Sequence, residues 1–180
     1  MGKFGEVSVT ELTAADGTAT WSWLMTPEKS ALSDEQENQL DAIFNGILPG
    51  DHARGVPRAS DVGAARFVGL LLARDTSVYY EIGDWQRLYP AWLSSLDAYA
   101  VAKYGRSLTA AAASEIDEII AGLEANSLIN MQPPIDQKLA FKTFLRHCIQ
   151  GCFADPRWGG NRDRIMWRWI GYLQQPETIQ

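Results

Sequence analysis

His147, Cys148 and Cys152 are the residues whose types could ligate a metal or act as a nucleophile, and Asp155 with Asp163 are the carboxylates placed to share acid and base work. A metal site needs several His, Cys, Asp or Glu donors converging at fitted spacing. His147 and Cys148 are neighbours on what reads as a helix, about 100° apart around its axis, so they do not aim at one ion. For the same reason a thiolate at Cys148 finds no base in line with it. Cys148 and Cys152 both fall on the apolar side of that helix and read as buried thiols. A disulfide between them is not expected, because a regular helical turn does not offer its restricted geometry. Asp155 and Asp163 each have arginines within two residues, which keeps them ionised and tied up rather than poised for proton transfer. His52 sits among prolines and glycines and reads as a solvated loop residue. No Gly-x-Gly-x-x-Gly follows a strand, no Walker loop occurs, and no Cys-x-x-Cys-His is present to hold a haem. A flavin or nucleotide is therefore not expected to be bound in the usual way by this chain.

The densest cluster of polar and aromatic side chains lies between Phe153 and Tyr172. Asp155-Pro156 predicts that the preceding helix ends there, since proline disfavours helical backbone in the residue before it. Gly159-Gly160 then permits positive φ at two successive positions, and Asn161 or Asp163 can cap the helix that follows. Arg157, Arg162, Arg164 and Arg168 stand against Asp155 and Asp163, with Trp158, Trp167 and Trp169 interleaved. That mixture suits a packed joint or a contact surface.

The elements that must position this corner are helical. The chain has 180 residues, which suggests one domain, and its 46% hydrophobic and 21% charged residues allow a real core. A net charge of −6 disfavours general binding to nucleic acid. No run of 18 apolar residues marks a membrane span. Residues 1–31 form an irregular arm with an apolar cluster at Trp21, Trp23, Leu24 and Met25, expected to fold back on the core or to lie on a partner. Residues 32–174 form the helical domain, and 175–180 are read as a frayed tail.

Within that domain a capping box at Ser33-Asp-Glu-Gln36 opens a helix carrying Leu40, Ile43, Phe44, Ile47 and Leu48. A second helix opens at Ser60-Asp61, and Val78-Tyr79-Tyr80 is an irregular link. A third runs from Trp85 to Tyr104 and either kinks or begins at Pro90. Thr109 caps a fourth. A fifth spans about Ile135 to Phe153, with Phe141, Phe144, Leu145, Cys148, Ile149, Cys152 and Phe153 inward. A short sixth, with Ile165, Trp169 and Ile170, closes an all-α bundle of five to six helices.

Phe153-Ala-Asp-Pro-Arg-Trp-Gly-Gly-Asn-Arg-Asp163, followed by Trp167 to Tyr172, resembles the C-terminal signature of the gluconate 2-dehydrogenase subunit 3 family, with weaker agreement through Leu32 to Pro49 and Trp85 to Gly105. The motif spans roughly a ninth of the chain. The resemblance implies a small accessory subunit, without catalytic residues, metal or cofactor of its own. Its implied partner is a large flavoprotein dehydrogenase of the glucose-methanol-choline type that carries FAD and oxidises sugars or sugar acids, with a cytochrome c or other acceptor downstream. Asp155, Arg157, Trp158, Gly159, Gly160, Asn161, Arg162 and Asp163 are then expected to lock the last helices together or to touch that partner, and Trp21, Trp23 and Trp158 are the contact candidates. The resemblance also implies a twin-arginine export signal in many members. Residues 1–25 show no such pair and no signal-peptide plan, so the expected compartment is the cytoplasm, with the periplasm as the alternative if a signal has been removed or is carried by the partner. The competing readings are a stand-alone helical enzyme using His147 or the Asp155 and Asp163 pair, and a self-associating structural protein.

Overall fold

A computed structural model describes residues 27–172. Six α-helices fill it: α1 Asp34–Ile47, α2 Ala64–Leu72, α3 Ile82–Tyr104, α4 Ala113–Ala125, α5 Gln137–Phe153 and α6 Ile165–Trp169. Among the described residues there is no strand, and a single isolated bridge pairs Asp51 with Val56. The fold is all-α, as the periodicity predicts. Trp21 and Trp23 lie outside the described residues.

The start of α1 is the capping box read from the sequence. The Gln36 amide donates to the Ser33 hydroxyl at 3.2 Å, and the Ser33 amide donates to the Gln36 side chain at 3.0 Å. Two amides that the first turn would otherwise leave unpaired are thereby satisfied. Leu40, Ile43 and Phe44 then repeat at helical spacing and are fully buried. Each stabilises the fold by about 1.5–3 kcal/mol relative to exposure.

α5 is the central post, packing on α2, α4 and α1, while α3 crosses α1 and α2. Where the layers meet, Phe144 of α5 makes edge-on contacts with Tyr89 and Trp92 of α3, both with ring centroids 5.5 Å apart. The approach of α5 to α2 is set by Gly151. A Cβ there would lie 2.9 Å from the Ala64 backbone, closer than two helices carrying side chains can come.

Several elements depart from the sequence expectations. α3 begins at Ile82 and runs through Pro90 rather than starting at it. The buried residues Ile82, Trp85 and Tyr89 ahead of the proline outweigh its cost of about 3 kcal/mol in a helix interior. Ser60–Val62 forms a separate 3-10 turn, and Gly63, at φ 73°, resets the chain into α2. Thr109 belongs to the 3-10 turn Leu108–Ala110 and caps nothing. α4 starts at Ala113, where the Glu115 carboxylate accepts from the Ala112 amide at 2.7 Å. α5 starts at Gln137, capped by Asp136, two residues later than expected. Leu145 and Ile149 face outward, 39% and 43% exposed. In α6 the buried residue is Met166, while Trp169 and, just past the helix end, Ile170 are exposed.

Candidate functional site

The C-terminal corner is built by short-range bonds that turn the chain through two 3-10 turns, Pro156–Trp158 and Arg162–Arg164. Asp155 caps the first. Its carboxylate accepts from the Arg157 amide at 3.0 Å and from the Arg157 guanidinium at 3.1 and 3.0 Å. That guanidinium and amide hold the Asp155 carboxyl below its usual range. Gly159 sits at φ 95°, and any Cβ there would collide with Leu70 of α2. Gly160 does not adopt positive φ, contrary to the two-glycine expectation. Its role is closeness, because a Cβ would run into the Gly151 carbonyl of α5. The positive φ values fall instead on Asn161, Asp163 and Arg164, at 43°, 55° and 58°.

Asn161 is the centre of the corner. It is fully buried. Its amide donates to the Gly151 carbonyl at 2.8 Å, its side-chain amide donates to the Ala154 carbonyl at 3.2 Å, and its side-chain oxygen accepts from the Met166 amide at 3.0 Å. One side chain thus joins the end of α5 to the start of α6. Asp163, the other candidate cap, makes no cap bond. Arg162 reaches back to the turn before α2 and donates to the Asp61 carbonyl at 3.0 Å. Trp167 of α6 donates its indole N–H to the Phe153 carbonyl at 2.9 Å.

Beside the corner, α2, α3 and α5 enclose a groove of about 720 Å³. Its walls are Phe67, Leu71, Trp85, Ile149, Phe153 and Trp158. Two guanidiniums frame it. Arg74 lies 4.5 Å over the Trp158 ring, and Arg146 lies 4.9 Å over Trp85 while donating to Glu81 at 3.2 Å. Cation–π stacking of this kind holds the rings as flat panels. Trp158 is thereby both a corner residue and a wall of the groove.

The residues with chemical potential do not converge. His147 is fully buried, with Nδ1 2.7 Å from the Tyr89 hydroxyl and no hydrogen-bond partner at Nε2. Burial, reinforced by the nearby Arg146 charge, pushes its pKa down to about 3, so the ring is neutral. The same burial raises the Tyr89 hydroxyl well above its ordinary value. Cys148 points the other way, toward the Phe44 carbonyl at 3.8 Å, and both thiols are buried and unbridged. Its pKa is raised by Cys152 and by burial, which keeps it a thiol. His52 is an exposed ring 2.9 Å from Asp61 and flanked by Arg58. Asp163 makes no ion pair among the described residues, whereas Asp155 is committed to Arg157. No group of three or more His, Cys, Asp or Glu among the described residues is arranged to hold a metal.

A protein-family model described as gluconate 2-dehydrogenase subunit 3 matches residues 34–173. The chain belongs to the gluconate 2-dehydrogenase subunit 3 family. The match begins at the first residue of α1 and runs past α6, so the whole helical unit carries the family pattern and not the corner motif alone. The family is that of a subunit of a dehydrogenase complex. No curated protein and no solved structure matches the chain. No helix among the described residues is long and apolar enough to cross a membrane.

In this member of the family the groove was not foreseen from the sequence. Phe67, Leu71, Trp85 and Arg146 come from three helices separated by loops, and Arg74 from the link after α2; periodicity says only that each helix has an apolar face. One signal was present: the apolar stripe of α5 is too wide for a single packed face, since Phe141, Leu145 and Ile149 continue it around the helix at spacings of four.

Proposed function

We propose that this chain is a non-catalytic subunit that docks on a large FAD-dependent dehydrogenase of the glucose-methanol-choline type, stabilises it, and leaves the oxidation of a sugar or sugar acid to that partner. The family match over residues 34–173 carries the reading. Two features of the molecule support it. Two of the side chains with catalytic potential are held by internal bonds: His147 is neutral and paired through Nδ1 to Tyr89, and Asp155 is paired to Arg157. Large apolar side chains are also left in water, with Tyr80 81%, Tyr172 65% and Ile170 52% exposed. Aromatic residues are enriched where protein partners meet, and a partner would cover these.

The flavin belongs to the partner in this reading. The chain contributes shape: the corner fixes α6 against α5, and the exposed aromatic residues supply apolar area. Co-expression with a neighbouring flavoprotein gene is expected to yield a yellow complex that co-purifies, shows a flavin spectrum and oxidises sugars. Substrate turnover by the isolated chain, lost when His147 or Asp155 is replaced, would overturn the proposal.

A further inference from the structure

The outer side of α6 combines exposed aromatic side chains with arginines that the fold leaves without a counter-charge. Met166 is the buried residue of this short helix. At about 100° per residue, Arg168 stands roughly 160° around the axis from it, on the solvent side, and it is exposed. Arg164 at the N-cap is exposed too, and so are Trp169, Ile170 and Tyr172. The guanidiniums of Arg164 and Arg168 make no hydrogen bond and no ion pair among the described residues. We propose that this face is the contact by which the chain docks on its dehydrogenase subunit, and that it meets there an acidic surface with apolar edges. The inference rests on the docking reading and adds where the contact lies and what chemistry it meets.

Charge selects the partner's surface. The 18 residues from Asp155 to Tyr172 carry four arginines and no lysine against two aspartates, in a chain whose net charge is −6. Asp155 is taken up by Arg157. The chain has carboxylates to spare, yet they stand elsewhere, with Asp34, Glu35 and Glu37 in the first turn of α1 and Asp117 and Glu118 on α4. Guanidiniums pair most strongly with carboxylates, through two parallel hydrogen bonds, and here those carboxylates must come from another polypeptide. Composition agrees, because arginine, tryptophan and tyrosine dominate the energetic centres of protein contacts whereas lysine is depleted there. A nucleic acid fits poorly, since the acidic remainder of the chain repels phosphates. The mount is also rigid. The Trp167 indole donates to the Phe153 carbonyl at 2.9 Å and the Met166 amide donates to Asn161 at 3.0 Å, so α6 is pinned to α5 and little ordering remains to oppose binding.

The test compares the full chain with two double variants, each titrated against the purified co-expressed flavoprotein. Arg164→Glu with Arg168→Glu reverses the face, whereas Lys138→Glu with Lys142→Glu makes the same change of net charge at exposed positions of α5. The α6 pair is expected to weaken binding about 10-fold or more, with far-UV dichroism and melting temperature unchanged, and the α5 pair to bind as the parent does. Equal losses from both pairs would reduce the effect to net charge and end the inference. A complex that forms and tolerates the α6 pair would sink it while leaving the docking reading in place, and failure of the parent to form any complex would remove both. As a second measurement, Trp169→p-benzoylphenylalanine irradiated in the complex should crosslink to a flavoprotein segment whose exposed charge is net negative. Crosslinks to a basic or neutral segment, to a second copy of this chain, or to residues 173–180 would overturn it.

Discussion

Asn161 shows why a polar side chain can be the least replaceable residue of a hydrophobic corner. It is buried, it sits at φ 43°, and both ends of its amide are engaged. Asn161→Ala removes both side-chain bonds, strands the Met166 amide and the Ala154 carbonyl without partners, and places a Cβ residue that tolerates positive φ poorly. Unsatisfied buried groups cost about 1–3 kcal/mol each, so the expected loss is about 2–4 kcal/mol, read as a shift of the urea midpoint. Asn161→Gly loses the same bonds but accepts the backbone without strain, and should fall short of the alanine variant's loss. Equal losses would mean that φ at this position carries no strain. The residue type was readable as a cap, but its burial was not: a cap signal says which amides want partners and nothing about what closes over them.

At the scale of elements, the contacts that shape the corner are made by absent side chains. Gly151 lies against Ala64 of α2, and Gly160 lies against Gly151 itself. α2, α5 and the corner thus meet backbone to backbone at one point. Gly151→Ala is expected to push α5 off α2 at a cost of about 1–3 kcal/mol, the range for overpacking a tight core. The measurement is chemical denaturation, together with hydrogen exchange of the Asn161 amide, whose bond to the Gly151 carbonyl should loosen. Retained protection at Asn161 would show that the corner follows α5 rather than being wedged by it. The sequence made the glycine hinge visible but misassigned its mechanics. Two adjacent glycines suggest two positive φ angles, yet only Gly159 uses that freedom, and Gly160 is there for clearance. The same limit governs the helices. The capping box of α1 is local chemistry and was readable, whereas the passage of α3 through Pro90 depends on burial of Trp85 and Tyr89 against elements far along the chain. Leu145 and Ile149 were misplaced for a related reason, since an apolar stripe does not say how much of its width is covered. The groove that Ile149 borders belongs to the tertiary arrangement alone.

Across the whole molecule two ionisable groups, one buried and one half-buried, set stability against pH in opposite senses. His147 takes up its proton near 6.5 in an unfolded chain but only at about 3 in the fold, because burial and Arg146 oppose the charge. A depressed folded value means stability that is complete above pH 6.5 and is lost as pH falls toward 3. Between pH 7.5 and pH 5 that loss amounts to about 2 kcal/mol at 1.36 kcal/mol per unit. Asp41, on α1, behaves oppositely. Burial and the neighbouring Glu37 raise its carboxyl to about 6 against the pull of Arg162 from the corner, and one of its oxygens has no hydrogen-bond partner. Its folded form holds the proton more tightly than the unfolded form, so stability rises as pH falls from about 6 toward 4. The gain is smaller than the His147 loss, because the Asp41 side chain is only half-buried and partly screened by water. The parent chain should therefore show a shallow net fall of melting temperature from pH 7.5 to pH 5. His147→Gln keeps a partner for the Tyr89 hydroxyl and removes the titration, so the fall should vanish or reverse. Asp41→Asn removes the opposing gain and should steepen it, while raising stability at pH 7.5, where the parent bears the cost of an ionised Asp41. Melting curves of the three proteins at pH 5, 6 and 7.5 resolve the two contributions. Parallel curves would show that neither group changes its protonation on folding, and that both buried sites admit water freely.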